Sequence, residues 1–198
     1  MADLSDAQLD ALKEMGNIGS GNAATALSQL ISSQIDISVP SVNFLPLENV
    51  ADVLGGPEKI VYVIYLEVMS RMNGTMVTII TPESAEFLVS KLITNEKLDK
   101  DSELYQSALK EVGSILCGSY LSALSQVVGE TFIASVPAMA CDMMGALLDF
   151  VLTEIGQVAE EALLIETELF VSDTKVECSQ LFLPKPGSLE TLLAAVGM

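Results

Sequence analysis

The chain has 198 residues, 50% of them hydrophobic, with 27 acidic residues against 9 basic ones and no histidine. That length suits one domain, or two closely fused halves, with enough chain to bury a core. A net charge of −18 disfavours nucleic acid and anionic membranes as partners, and the missing histidine excludes Ser-His-Asp and Cys-His nucleophiles, His-containing zinc sites and a phospho-accepting histidine.

The first residues, Met1-Ala2-Asp3-Leu4-Ser5-Asp6, lack the basic start and apolar run of a signal peptide. Ser5-Asp6-Ala7-Gln8 is a capping box and predicts a helix start near Asp6. Leu9, Leu12, Met15, Ala23, Ala26, Leu30 and Ile31 recur at helical spacing and carry that helix to about Ser33. Gln34–Leu45 alternates like a strand before Pro46. Ile60–Met69 and Thr75–Thr81 are β-rich runs flanking Arg71-Met72-Asn73-Gly74, whose Asn-Gly predicts a hairpin. Glu83–Ile93 reads as a helix, and the charge-rich Asn95–Glu103 segment joins the two halves. The second half then predicts a helix over 103–127, a strand over 131–136, a methionine-rich helix over about 139–152, strands near 161–171 and 175–183, and a last helix from Ser188. The long uncharged stretch Met15–Ile35 is too polar to span lipid, broken by Asn17, Asn22, Thr25, Gln29 and further serines. Cys117, Cys141 and Cys178 are odd in number and widely spaced, which suits buried thiols in a reducing cytoplasm rather than disulfides or a metal site.

An internal repeat organises these elements. At an offset of 97 residues, Ala11-Leu12-Lys13-Glu14 falls on Ala108-Leu109-Lys110-Glu111, and Ala26-Leu27-Ser28-Gln29 on Ala123-Leu124-Ser125-Gln126. Gly16, Ile18, Gly21 and Pro40 match Gly113, Ile115, Gly118 and Pro137 without a gap. The chain is therefore expected to be a single α+β domain built of two repeats, about 1–100 and 101–198. Its two long helices would pack with a largely antiparallel sheet in pseudo-two-fold fashion.

Residues three and four apart share a helix face. Asp10, Glu14, Asn17 and Gly21 make a polar stripe on the first long helix, and Ser107, Glu111, Ser114 and Gly118 make the equivalent stripe on the second. Glu and Asn at this spacing can reach one bound object, and the glycine a turn later lets a partner backbone come close. A solvated helix face carries polar residues without any such role, but here one pattern occurs twice in a single chain.

The spacing Asp10-x3-Glu14-x2-Asn17-x22-Pro40 resembles the signature of the CheC/CheX/FliY chemotaxis phosphatases. Ser107-x3-Glu111-x2-Ser114-x22-Pro137 matches it again, except that Ser114 stands where the family has Asn. The resemblance covers essentially the whole chain. It implies a phosphatase acting on the aspartyl phosphate of the response regulator CheY, with Asn17 orienting the attacking water and Glu14 pairing with a regulator lysine. An amide offers a donor and an acceptor without titrating, so no histidine is needed. The chain would bring no cofactor or metal of its own, the Mg²⁺ coming with the regulator. Glu111 and Ser114 would form a degenerate second site, since a serine hydroxyl is shorter than an amide. Asp10, Gly21, Pro40, Ser107, Gly118 and Pro137 complete the motifs, with Pro40 expected to shape the strand that follows it. The resemblance also implies docking of the deamidase CheD, assigned to Asp142 and Asp149 along one face of the methionine-rich helix. An adaptor that binds CheD and phosphorylated CheY, with little catalysis, is the alternative. A flagellar-switch role is disfavoured because no further module follows Met198.

Overall fold

The computed structural model describes residues 6–70, 72–93, 99–154, 161–185, 187–188, 191 and 194. Five helices are formed by the described residues: α1 (Asp6–Ile31), α2 (Leu47–Val53), α3 (Pro82–Leu92), α4 (Glu103–Val128) and α5 (Met144–Glu154). The strands of the first half are β1 (Ile35–Ser38), β2 (Val42–Pro46), β3 (Ile60–Met69) and β4 (Gly74–Ile80). Those of the second are β5 (Ile133–Ala134), β6 (Ala138–Met143), β7 (Glu161–Glu166), β8 (Glu168–Val171), β9 (Thr174–Val176) and β10 (Cys178–Pro184). The fold is α+β, with every strand pair antiparallel.

Local chemistry sets most boundaries. Beyond α1, Ser32 takes a left-handed φ of 54°, which turns the chain into β1. The Ser102 hydroxyl caps α4 by accepting from the Tyr105 N–H at 3.3 Å, and Gly129 closes it at φ 71°. Thr81 caps α3, where Pro82 occupies the first turn. The capping serine expected for α1, Ser5, lies outside the described residues, as do residues 95–98 of the joint and most of the helix expected from Ser188.

The seven-stranded sheet has the order β2-β7-β10-β4-β3-β5, with β6 also paired to β3. Its centre is the β4–β10 ladder, running from Gly74↔Pro184 to Ile80↔Cys178. On either side lies a hairpin-like pair, and beyond each pair an outer strand from the other half. Thus β2 pairs with β7, and β6 with β3. A smaller sheet, β1-β8-β9, is likewise made from both halves.

Alternation along the strands separates two apolar layers. Tyr62, Ile64, Leu66 and Val68 of β3 face α1 and α4. Val61 and Val63 face α2 and α5, together with Val50, Leu147, Leu148 and Val151. At the contact between α1 and α4, a β-carbon on Gly19 would fall 2.9 Å from the Tyr120 ring, so the helices approach too closely for a side chain there. Buried polar groups tie the layers together. The Tyr120 hydroxyl lies 2.9 Å from Ser20 Oγ and 3.3 Å from Thr167 Oγ1, linking α1, α4 and the β7–β8 bend. Beneath α4, Gln180 Nε2 donates to Thr78 Oγ1 at 2.9 Å beside the Cys117 thiol, which burial pushes up to about 12.

Several sequence expectations are corrected. The methionine-rich segment is not one helix: β6 runs to Met143 and α5 begins at Met144. The exposed edge of β3 recruits Ala138–Met143 in register, from Tyr65↔Ala138 to Ile60↔Met143. The helix then starts where the Met144 and Gly145 N–H groups donate to Lys59 and Pro57 carbonyls. Asp142 and Asp149 therefore share no helix face. The strand expected over 34–45 is two strands, broken around Pro40, which cannot donate to a ladder. The strand expected over 131–136 shrinks to Ile133–Ala134, and the strands near 161–171 and 175–183 divide into four, interrupted at Thr167, at the turn of Ser172 and Asp173, and at Glu177. Helix α2 was not expected from the sequence.

Candidate functional site

Helices α1 and α4 lie side by side on one face of the large sheet and bury Leu12, Met15, Ala23 and Leu27 of α1 and Leu109, Val112, Leu116 and Cys117 of α4. Burying those residues forces the polar stripes outward. Asp10, Glu14 and Gly21 are exposed on α1, with Asn17 half-buried among them. On α4, Ser107, Glu111 and Gly118 are exposed and Ser114 is half-buried. The structure thus gathers each sequence-predicted set of four onto one solvent-facing helix surface.

Neither glutamate has an ion-pair partner among the described residues; the lysine pairs there are Lys59–Glu177, Lys100–Glu86 and Lys175–Glu168. A β-carbon on Gly21 or Gly118 would meet no atom within 4 Å, so internal packing requires neither glycine. Asn17 is different. Its Oδ1 accepts a hydrogen bond from the Val39 backbone N–H at 3.1 Å. Val39 is 1% exposed and lies just before Pro40. Sequence reading found the 22-residue spacing but missed Val39, whose part is played by a backbone group that no residue-type pattern displays.

The second face does not repeat that bond. Val136, the counterpart of Val39, is 86% exposed, and no hydrogen bond joins it to Ser114 among the described residues. Pro137 follows it in the link between β5 and β6. Asp142 is exposed at the end of β6 and Asp149 on α5, both away from the α1–α4 surface. No cluster of His, Cys, Asp and Glu among the described residues is suited to hold a metal ion, and no described helix is long and apolar enough to cross a membrane.

What the fold and this surface define is a pseudo-symmetric α+β scaffold presenting a carboxylate–amide pair, Glu14 and Asn17, on one long helix and a carboxylate–hydroxyl pair, Glu111 and Ser114, on the other. Such a surface can dock a protein and hold a water, and with no histidine in the chain its serine hydroxyls have no imidazole base to activate them. Comparisons with known proteins place that class. The family model described as CheC-like matches residues 8–44 and 104–140, which contain both stripes and both prolines. The chain is 34% identical over 200 residues to the CheY-P phosphatase CheC of Bacillus subtilis (strain 168), covering 98% of this chain and 96% of that protein. The chain belongs to the CheC-like family. Its fold is also that of Thermotoga maritima FliY, with TM-score 0.76, 20% identity and 98% coverage of both chains. A further structural neighbour is the CheX-CheY-BeF3-Mg+2 complex of Borrelia burgdorferi, at TM-score 0.51 and 18% identity over 84% of this chain and 96% of that one.

Proposed function

We propose that this chain is a phosphatase that hydrolyses the aspartyl phosphate of a CheY response regulator through the α1 surface. One observation carries the reading: Glu14 and Asn17 stand one turn apart on an exposed face, beside a glycine that nothing in the fold requires. The CheC relative, named as a CheY-P phosphatase, supports the reaction class.

Glu14 would pair with a regulator lysine beside the phosphoaspartate and set the docking register. The bare surface at Gly21 would admit the regulator's backbone. Asn17 would reach into the regulator's site and hold a water in line with phosphorus. The water oxygen bonds to phosphorus as the aspartyl carboxylate oxygen leaves, giving inorganic phosphate and the unmodified regulator. Asn17 neither takes nor gives up a proton; its contribution is position. The Mg²⁺ that supports phosphoryl transfer would come with the regulator. Phosphate release from phosphorylated CheY tests the reading: Asn17→Ala should slow it by about 100-fold, and an unaltered rate would overturn the assignment.

A second role as an adaptor for CheD is compatible with the layering. Asp149 and Phe150 are exposed on α5, across the sheet from α1, so a partner there would not compete with the regulator. Asp149→Lys should weaken CheD capture at least severalfold; undiminished capture would remove Asp149 from that interface.

A further inference from the structure

The backbone N–H of Val39 follows the last residue of β1, and the next residue is a proline. A donor in that position must find a partner outside the strand ladder. It finds Asn17 Oδ1 at 3.1 Å. Because a backbone N–H can only donate, the atom facing it must be the amide oxygen, and the orientation of the amide follows. The two Nδ2 hydrogens and one Oδ1 lone pair are left for whatever docks on the helix.

The surroundings hold this arrangement from two sides. Proline restricts the residue before it to extended backbone, so Pro40 limits where the Val39 N–H can aim. On the helix side, a β-carbon on Gly16 would lie 3.1 Å from Val39 Cγ1, so the valine seats directly on the bare backbone one residue before Asn17. The contrast within the chain supports the point. Where Ser114 replaces the amide, Val136 has no such bond and is 86% exposed despite the proline that follows it.

We propose that the Val39 N–H, kept in place by Pro40 and Gly16, is a positioning group for the reaction. It fixes the plane of the Asn17 amide before the regulator arrives, and the proline of the signature acts through this contact. The inference rests on Asn17 being the water-orienting residue. Its energetic logic is preorganisation: an amide already fixed loses no rotamer freedom in the transition state.

The test replaces Val39 by its α-hydroxy analogue in the full chain, turning the Ser38–Val39 amide into an ester, so that an oxygen that cannot donate stands in place of the N–H and the side chain is kept. With phosphorylated CheY as substrate, kcat should fall about five- to tenfold, while KM changes by less than twofold. A bond that merely supports the fold would lower the melting temperature and leave kcat intact at temperatures where the protein is folded. Gly16→Ala should give the same split by displacing Val39, and adding Val39→Ala to it should recover part of kcat by making room. This pair also covers the case in which the ester variant does not fold. Unaltered kcat in the folded ester variant, or in Gly16→Ala, overturns the positioning role while leaving the Asn17 assignment standing if Asn17→Ala is inactive. Full activity of Asn17→Ala overturns both.

Discussion

The two long helices present the same residue pattern in different surroundings. On α1, Gly16 lies against Val39, and the chain behind Val39 is anchored by pairing of β1 with β8 and of β2 with β7. On α4, the equivalent Gly113 would place a β-carbon 2.7 Å from Ile64 of β3, so that glycine seats the helix on the sheet instead. The segment around Val136 and Pro137 then runs between β5 and β6, both paired to β3, and leaves Val136 in solvent. Preserved spacing therefore does not preserve the contact behind the helix. What distinguishes the faces is whether the connection after the helix returns to it, and an amide can hold that connection where a shorter hydroxyl does not.

The largest expected effect breaks the symmetry directly. Asn17→Ala should remove nearly all phosphatase activity, whereas Ser114→Ala should change it by less than about twofold, because nothing bonds Ser114 to the returning chain. Comparable losses in the two variants would show that both faces catalyse. A smaller effect is expected from restoring the family residue. Ser114→Asn in an Asn17→Ala background should recover only about a tenth of native activity, since the new amide has no buried N–H to lock it. Recovery to the native rate would mean that preorganisation by a Val39-like contact is dispensable.

Much of this was legible in the sequence, for reasons that differ by element. Helices α1 and α4 and the β3–β4 hairpin announce themselves through local signals: apolar spacing along the helices, and Asn73-Gly74 at the start of β4. The polar stripes follow once the helices are placed. The segment Ala138–Met143 was misread because its strand conformation comes from an edge supplied by the other half of the chain, and short apolar runs are ambiguous until that partner is known. Helix α2 was missed because Leu47–Val53 is too short for a convincing period, and Pro46 offers its N-terminus no side-chain cap. The Val39–Asn17 bond joins a main-chain atom to a residue 22 positions away, so only the proline marking its place showed in the pattern.

The smallest effects concern Gly21 and Gly118, and they separate docking from folding. Glycine inside a helix is less stable than alanine by about 0.8–1 kcal/mol. At Gly19 and Gly113 tight contacts explain the residue, but a methyl group at Gly21 or Gly118 would meet nothing within 4 Å. Alanine at either position should therefore raise the stability of the isolated protein by roughly 0.5–1 kcal/mol, read as a higher denaturant midpoint at constant slope. The two variants should then diverge against phosphorylated CheY. If the regulator docks on α1 as proposed, the methyl of Gly21→Ala stands in its way and should raise KM about threefold or more, a loss on the order of 1 kcal/mol, with kcat little altered. Gly118→Ala should shift KM by a smaller factor. Equal KM values for the two stabilised proteins would mean that the regulator does not distinguish the helices, and the asymmetry would then belong to the Asn17 amide alone.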